Sequence, residues 1–179
     1  MQALLAVSRV IDWINARLGT VACWLVLIAC LISAGNAGSR YLFSISSNAW
    51  LEIQWYFFGA MFMLGAAYVL KRNEHVRVDL LYNLLGHRKR LWVDIGGILL
   101  FLMPACLVLG YLTFWMFLDA FVTHEESANA AGLKLWPALL MFPLGFALLF
   151  LQAISELIKR IEALRGDIVV DTSYEKPVQ

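Results

Sequence analysis

Charged residues are scarce in this chain of 179 residues, which limits the classes of protein it can belong to. Only 15% of its residues are Asp, Glu, Lys or Arg, whereas 61% are hydrophobic, and the net charge is +1. Soluble domains contain about a quarter charged residues, and domains that bind nucleic acid usually carry a strong basic excess on one face. The composition therefore excludes an ordinary soluble domain and argues against nucleic-acid binding.

Residues that usually hold cofactors are also few, and their positions do not suit that task. The three histidines lie in polar segments, not opposite each other inside apolar runs as haem ligation would require, at His75, His87 and His124. The three cysteines lie inside apolar runs, where a thiol behaves as a small hydrophobe, at Cys23, Cys30 and Cys106. There is also no phosphate-binding loop and no Ser, His and Asp set at one depth. We therefore expect no cofactor, no metal and no enzymatic activity.

Long apolar runs dominate the chain instead. Four segments reach the roughly 20 residues that cross about 30 Å of hydrocarbon, and they lie near 20–42, 50–70, 91–118 and 135–157. The pattern predicts an all-α, polytopic membrane protein whose four transmembrane helices form one domain over residues 20–160. Pro104 and Pro143 lie deep in the third and fourth spans and are expected to bend them.

Basic residues are distributed unevenly between the two sides of these spans. The segment before the first span, the connector 71–90 and the C-terminal tail hold 12 of the 14 Lys and Arg residues, and only Arg40 and Lys134 fall on the other side. By the positive-inside rule, both termini and the connector are predicted to be cytoplasmic. The loops near 43–49 and 119–134 are predicted to face outward.

Two segments outside the spans have the spacing of amphipathic helices. In residues 1–18 the apolar groups recur at helical intervals, at Leu4, Leu5, Val7, Val10, Ile11, Ile14 and Leu18. The connector 71–90 has a similar pattern. Each predicts a helix lying in the membrane plane, although the connector also suits an ordinary short loop helix. The tail 161–179 is polar and is expected to be mobile.

Four ionisable residues lie near the ends of the spans. Arg40 closes the first span and Glu52 begins the second, while Asp94 and Asp119 flank the third. A charge inside a span is costly and suggests a functional role, but near an end it can pair or reach water. The structural interpretation is an ion pair between Arg40 and Glu52, and the alternative is a contact with another subunit.

Small residues are concentrated in three of the spans. They are Ala34, Gly35, Gly38, Ser39, Gly59, Ala60, Gly65, Ala66, Ala67, Gly96 and Gly97. Close approach of helices in lipid depends on such residues, because van der Waals contact replaces the hydrophobic driving force. We predict that these positions pack helices together and do not line a substrate path.

The loop HEESANAAGLKLWP, residues 124–137, allows two interpretations. It can be a solvated turn, with Trp136 as an interfacial anchor and Pro137 in the first turn of the fourth span. It can also be a docking surface for an extracytoplasmic partner, formed by Glu125, Glu126 and Asn129.

The order of several motifs resembles the small membrane subunit, the DctQ-like subunit, of tripartite ATP-independent periplasmic (TRAP) transporters. These motifs are SRYLF at 39–43, LEIQWYFFGAMFMLGAAYVLKRNEHVRVDLL at 51–81 and a basic HRKR before two further spans. The resemblance covers about residues 20–160. Its most specific part runs from Glu52 through Gly65 to Asp79. Carried over by position, the family's matching polar residues are Arg40, Glu52, His75 and Asp79.

The resemblance implies a scaffold subunit of a sodium-coupled importer of organic acids in a bacterial inner membrane. A large membrane subunit would hold the substrate and sodium sites, and a periplasmic binding protein would deliver the substrate. The ESANAAGL segment and the long fourth span look like the branch associated with 2-oxo acids and related carboxylates. One rival is the membrane anchor of a redox enzyme, which would bind haem or quinone. Another is a small oligomeric exporter, which would transport on its own.

Overall fold

Four long helices make up almost all of the structure, which is a computed structural model describing residues 2–45, 47–74, 85–129 and 132–166. They are α1 (Gln2–Phe43), α2 (Asn48–Arg72), α3 (His87–Val122) and α4 (Trp136–Arg165). All four are long and apolar enough to cross a membrane. The predicted all-α fold with four spans is thus confirmed. Residues 75–84 of the connector and the tail beyond residue 166, for which a helix and a mobile segment are predicted, lie outside the described ranges.

The first helix differs from the expectation of a short amphipathic helix followed by a span. α1 has 42 residues and continues without a break from Gln2 to Phe43, a length of about 63 Å at 1.5 Å per residue. The turn around residues 15–22 contains no proline, and its one glycine, Gly19, lies against the side chain of Tyr68 on α2. The segment 1–18 therefore forms the beginning of the first membrane helix.

Most of the apolar stripe of this segment faces away from the other helices, so it is largely the polar side that packs inside the bundle. The buried residues of α1 are Ser8, Ile11, Asn15, Gly19 and Ala22. Apolar residues of the predicted stripe point outward, including Leu4, Val7 and Val10, each at least half exposed. In a membrane this arrangement is favourable, because lipid solvates the apolar face while polar groups find partners inside the protein.

The third helix contains a wide turn just before its proline. Residues Ile98–Leu102 form a π-helical turn, and the N–H of Met103 donates to the carbonyl of Ile98. Because proline has no N–H and its ring crowds the preceding turn, a π-turn at this place accommodates Pro104 within a continuous helix. Pro143 lies inside α4, which continues on both sides of it.

α4 is the central element, because it packs against each of the other three helices. A core of small and aliphatic side chains joins α1, α2 and α4, and it consists of Ala22, Leu64, Ala67 and Leu148. α2 and α4 approach each other closely at Gly145, where an added Cβ atom would lie 2.7 Å from the Cβ of Met63. Gly145 therefore allows these helices to touch.

The small residues singled out in the sequence divide into two groups. Ala60 and Ala67 are buried between helices, as predicted. By contrast, a Cβ added at any of six predicted packing glycines would meet no atom within 4 Å, namely Gly35, Gly38, Gly59, Gly65, Gly96 and Gly97. The glycines whose added Cβ would meet a neighbouring helix are Gly19, Gly110 and Gly145, and none of them was among the predicted packing positions.

Candidate functional site

Polar side chains cluster at the end of the bundle that contains the first residues of α1 and the last residues of α4. We call this end the terminal end. α4 contributes residues spaced three or four apart, so that they lie on one face: Gln152, Ser155, Glu156, Lys159 and Arg160. Opposite them are Ser8, Asp12 and Asn15 of α1 and Asp94 of α3. We call these nine residues the terminal cluster.

Asp12 is the centre of the contact between α1 and α4. Its Oδ1 atom accepts hydrogen bonds from Gln152 Nε2 and Ser155 Oγ, both at 2.9 Å, and its Oδ2 atom accepts one from Lys159 Nζ at 3.0 Å. One turn to either side, Ser8 Oγ lies 2.7 Å from Ser155 Oγ. Asn15 Nδ2 donates to Gln152 Oε1 at 2.7 Å. The first turns of α1 are thus fixed to α4 by side-chain hydrogen bonds over two helical turns.

The same network continues from α4 to α3. Glu156 pairs with both Lys159 and Arg160 on its own helix, and Arg160 Nε donates to Asp94 Oδ2 on α3 at 3.0 Å. Arg160 is only 3% exposed and Glu156 only 5%. Buried charges are tolerated when they are paired and hydrogen-bonded, so these residues depend on one another.

α2 completes the charge balance at the terminal end. Lys71 Nζ donates to the backbone carbonyl of Asp12 at 3.0 Å. This group then contains three cations and three anions. The cations are Lys71, Lys159 and Arg160, and the anions are Asp12, Asp94 and Glu156. All four helices therefore meet in one group of compensated charges.

The terminal cluster was not predicted from the sequence, although its residues recur at helical spacing. The polar residues from 152 to 160 repeat at helical spacing, and so do residues 8, 12 and 15. From the sequence alone, residues 152–160 fall at the cytoplasmic end of the fourth predicted span. Residues 8, 12 and 15 fall on the predicted interfacial helix. Polar stripes on two helices near the same end of a membrane protein are expected to face each other, because polar groups inside a membrane protein pair with one another. This signal could have identified the contact.

A second polar group lies at the opposite end of the helices, around Glu52 of α2. The Glu52 side chain is 9% exposed and accepts a hydrogen bond at its Oε2 atom from the backbone N–H of Leu133, at 3.1 Å. The hydroxyl of Ser127 lies near this carboxylate, and the hydroxyl of Tyr56 is 3.5 Å from its Oε1 atom. One turn further along α2, the hydroxyl of Tyr56 donates to the carbonyl of Lys134 at 3.2 Å. Glu52 and Tyr56 together hold the α3–α4 loop, residues 123–135.

The α3–α4 loop is itself hydrogen-bonded as a short hairpin. The N–H of Ser127 donates to the carbonyl of Leu133 at 2.9 Å, and the N–H of Leu135 donates to that of Glu125 at 3.0 Å. Glu126 and Lys134 form an antiparallel bridge. At the base of the loop, the rings of Phe121 and Trp136 pack edge to face at 5.6 Å. Residues 123–129 and 132–135 of the loop are therefore joined by hydrogen bonds, and Trp136 packs on Phe121.

The expected ion pair between Arg40 and Glu52 is not formed. Arg40 is exposed at the end of α1, and none of the ion pairs among the described residues joins it to Glu52. The Glu52 carboxylate instead accepts hydrogen bonds from the backbone N–H of Leu133 and the hydroxyl of Tyr56. His75 and Asp79, the other two residues carried over from the resemblance, lie outside the described ranges.

The three residues of the candidate docking surface, Glu125, Glu126 and Asn129, are all exposed on the loop. The Asn129 side chain also donates to Ser127 Oγ at 3.1 Å. Over the described residues, no group of three His, Cys, Asp or Glu side chains is arranged to hold a metal ion.

Comparison with known proteins settles the family. Residues 29–163 match the family described as "Tripartite ATP-independent periplasmic transporters, DctQ component". The chain belongs to this family. The resemblance of its motifs to the small TRAP subunit is thereby confirmed. No curated protein and no solved structure matches this DctQ-family chain. The matched range contains the whole of α2 and α3, Glu52 and the α3–α4 loop, while the first 27 residues of α1 precede it.

Proposed function

We propose that this chain is a scaffold subunit of a sodium-coupled TRAP transporter that imports organic acids, including 2-oxo acids, across a bacterial inner membrane. A large permease subunit carries out the transport step, and a periplasmic binding protein delivers the substrate. Membership of the DctQ family supports a role in TRAP transport. The redox-anchor alternative gains no support from that family.

The observation that carries the scaffold role is the placement of charge along the helices. No Asp, Glu, Lys or Arg lies between Arg17 and Arg40 in α1, between Glu52 and Lys71 in α2, between Asp94 and Asp119 in α3, or before Glu156 in α4. The charged groups of the terminal cluster bond to one another across helices. Ion-coupled carriers place polar sites and broken helices near the middle of the bilayer. A chain that uses its charges to join helix ends is suited to support a carrier.

We assign the C-terminal half of α1 as the surface that contacts the large subunit. The segment from Ser33 to Ser39 contains only Ser, Ala, Gly and Asn, and most of it is exposed. It borders a groove of 460 Å³ that is lined by Asn36, Ile45 and Trp50 among others. Asn36 forms no hydrogen bond with the part of the chain that the structure describes. A polar, small-residue face suits a neighbouring helix better than lipid, because a helix can approach closely and supply hydrogen-bonding groups.

Basic residues support the proposed orientation. The terminal end contains Arg9, Arg17, Lys71, Arg72 and the basic residues of α4, whereas Arg40 and Lys134 lie at the opposite end. By the positive-inside rule, the terminal end faces the cytoplasm. The α3–α4 loop then faces the periplasm, where the binding protein is found.

Co-purification tests the assignment. A tagged copy of this chain, expressed in its native host and extracted in mild detergent, is expected to bring down a larger polytopic membrane protein. Replacing Gly35 and Gly38 by Leu is expected to reduce the recovery of that protein by tenfold or more. Gly96→Leu and Gly97→Leu are the controls, because these glycines are equally open but lie on α3. Equal losses in both variants would contradict the choice of α1, and recovery of a haem-containing partner would favour the redox anchor.

A further inference from the structure

Glu52 is placed to control the loop that connects α3 and α4. It lies near the start of α2, yet its carboxylate accepts a hydrogen bond from the backbone N–H of Leu133, which belongs to the α3–α4 loop. A largely buried carboxylate requires such donors, because without them the cost of removing its charge from water is uncompensated. The loop and the carboxylate therefore stabilise each other.

The hydrogen bonds from α2 reach the arm of the hairpin that enters α4, at Leu133 and Lys134. The Ser127 hydroxyl, on the arm that leaves α3, lies near the Glu52 carboxylate. Because Glu52 and Tyr56 are four residues apart, they lie on the same face of α2. A single turn of α2 thus fixes the hairpin relative to the helices. Charge-assisted hydrogen bonds, such as the one from Leu133 to Glu52, are about twice as strong as neutral ones.

Glu125 and Glu126 are the exposed acidic residues of this loop. Both residues are exposed, and within the described residues neither side chain forms an ion pair. Their backbones are fixed by the hydrogen bond from Leu135 to Glu125 and by the bridge between Glu126 and Lys134. Two adjacent carboxylates on a fixed backbone attract a cationic surface on a partner.

We propose that Glu52 is a positioning residue, which keeps the α3–α4 loop in the conformation that presents Glu125 and Glu126 to a basic patch on the periplasmic binding protein. The identity of this partner rests on the proposed function, whereas the effect of Glu52 on the loop does not. A loop that is already ordered binds more tightly, because less conformational freedom is lost on docking.

Two readouts on the complex of this chain with the large subunit test the proposal. Hydrogen exchange of the Ser127 and Leu135 amides reports loop order, since both amides bond within the loop and not to Glu52. Affinity for the binding protein at low salt reports docking. Glu52→Gln is expected to speed exchange at both amides by tenfold or more and to weaken docking by about tenfold. Gln54→Ala is the control, because Gln54 is two residues away and bonds only to the carbonyl of Trp50.

The possible results separate the two ideas. Unchanged exchange in Glu52→Gln would overturn the positioning role, and so would a loosened loop that binds the partner as tightly as before. Glu125→Lys combined with Glu126→Lys is expected to weaken docking without changing exchange. If this double variant docks normally at low salt, the docking surface itself is refuted. If Glu52→Gln does not assemble, Tyr56→Phe gives a milder test with the same two readouts, because it removes the hydroxyl that bonds to the Lys134 carbonyl and to Glu52 but keeps the carboxylate.

Discussion

At the scale of single residues, Arg160 makes the contacts that are hardest to replace. Its guanidinium joins Glu156 on the same helix to Asp94 on α3, and the residue is 3% exposed. Removing one member of a buried ion pair typically costs about 3–5 kcal/mol, because the remaining charge is left without a partner. The free energy of the pair itself is smaller than this cost.

Arg160→Met is therefore expected to lower the free energy of unfolding by about 3–5 kcal/mol. The measurement is unfolding of the full chain in detergent, followed by tryptophan fluorescence. Arg9→Met is the matched control, because Arg9 is exposed at the same end of the helices, and we expect a change below about 0.5 kcal/mol. Adding Asp94→Asn and Glu156→Gln to Arg160→Met should recover part of the loss. If Arg160→Met is as stable as the Arg9 variant, the terminal cluster does not hold the helices together.

At the scale of helices, the contact between α2 and α4 depends on a glycine that the sequence analysis did not single out. Gly145→Ala would place a Cβ atom 2.7 Å from Met63 Cβ and 3.0 Å from the Met63 carbonyl oxygen. Relieving such overlap requires a backbone shift, which we expect to destabilise the chain by about 1–3 kcal/mol.

Gly65→Ala provides the comparison for this substitution in α2. A Cβ atom at Gly65 meets nothing within 4 Å, and alanine favours a helix by up to about 1 kcal/mol relative to glycine. We therefore expect the melting temperature to fall for Gly145→Ala and to stay equal or rise for Gly65→Ala. The same drop in both variants would show that Gly145 does not determine the spacing of the helices.

The sequence predicts the helices better than the contacts between them. Four spans are evident from hydropathy, because each must cover the hydrocarbon thickness on its own. Helical spacing also identifies the polar side of residues 1–18, but it does not reveal whether that side meets water or α4. That depends on a second stripe about 140 residues later, around Gln152. The same applies to Glu52, whose partner Leu133 offers a backbone N–H, a group that every residue except proline has.

At the scale of the whole molecule, the polar contacts are divided between the two ends. The terminal cluster joins α1, α3 and α4, and Lys71 adds α2. At the other end, Glu52 joins α2 to the α3–α4 loop, while Tyr41 and Phe43 at the end of α1 remain exposed. Between the ends the helices have only apolar, small or uncharged polar side chains. This distribution fits the proposed scaffold role, in which the small-residue segment of α1 is the surface assigned to the large subunit.

Transport by reconstituted liposomes tests the scaffold role most directly. Liposomes that contain this chain alone, with an inward sodium gradient and the binding protein loaded with a radiolabelled organic acid, are expected to accumulate no label. Liposomes that contain the chain together with the co-purified large subunit are expected to accumulate it. Sodium-dependent accumulation by the chain alone would contradict the scaffold role.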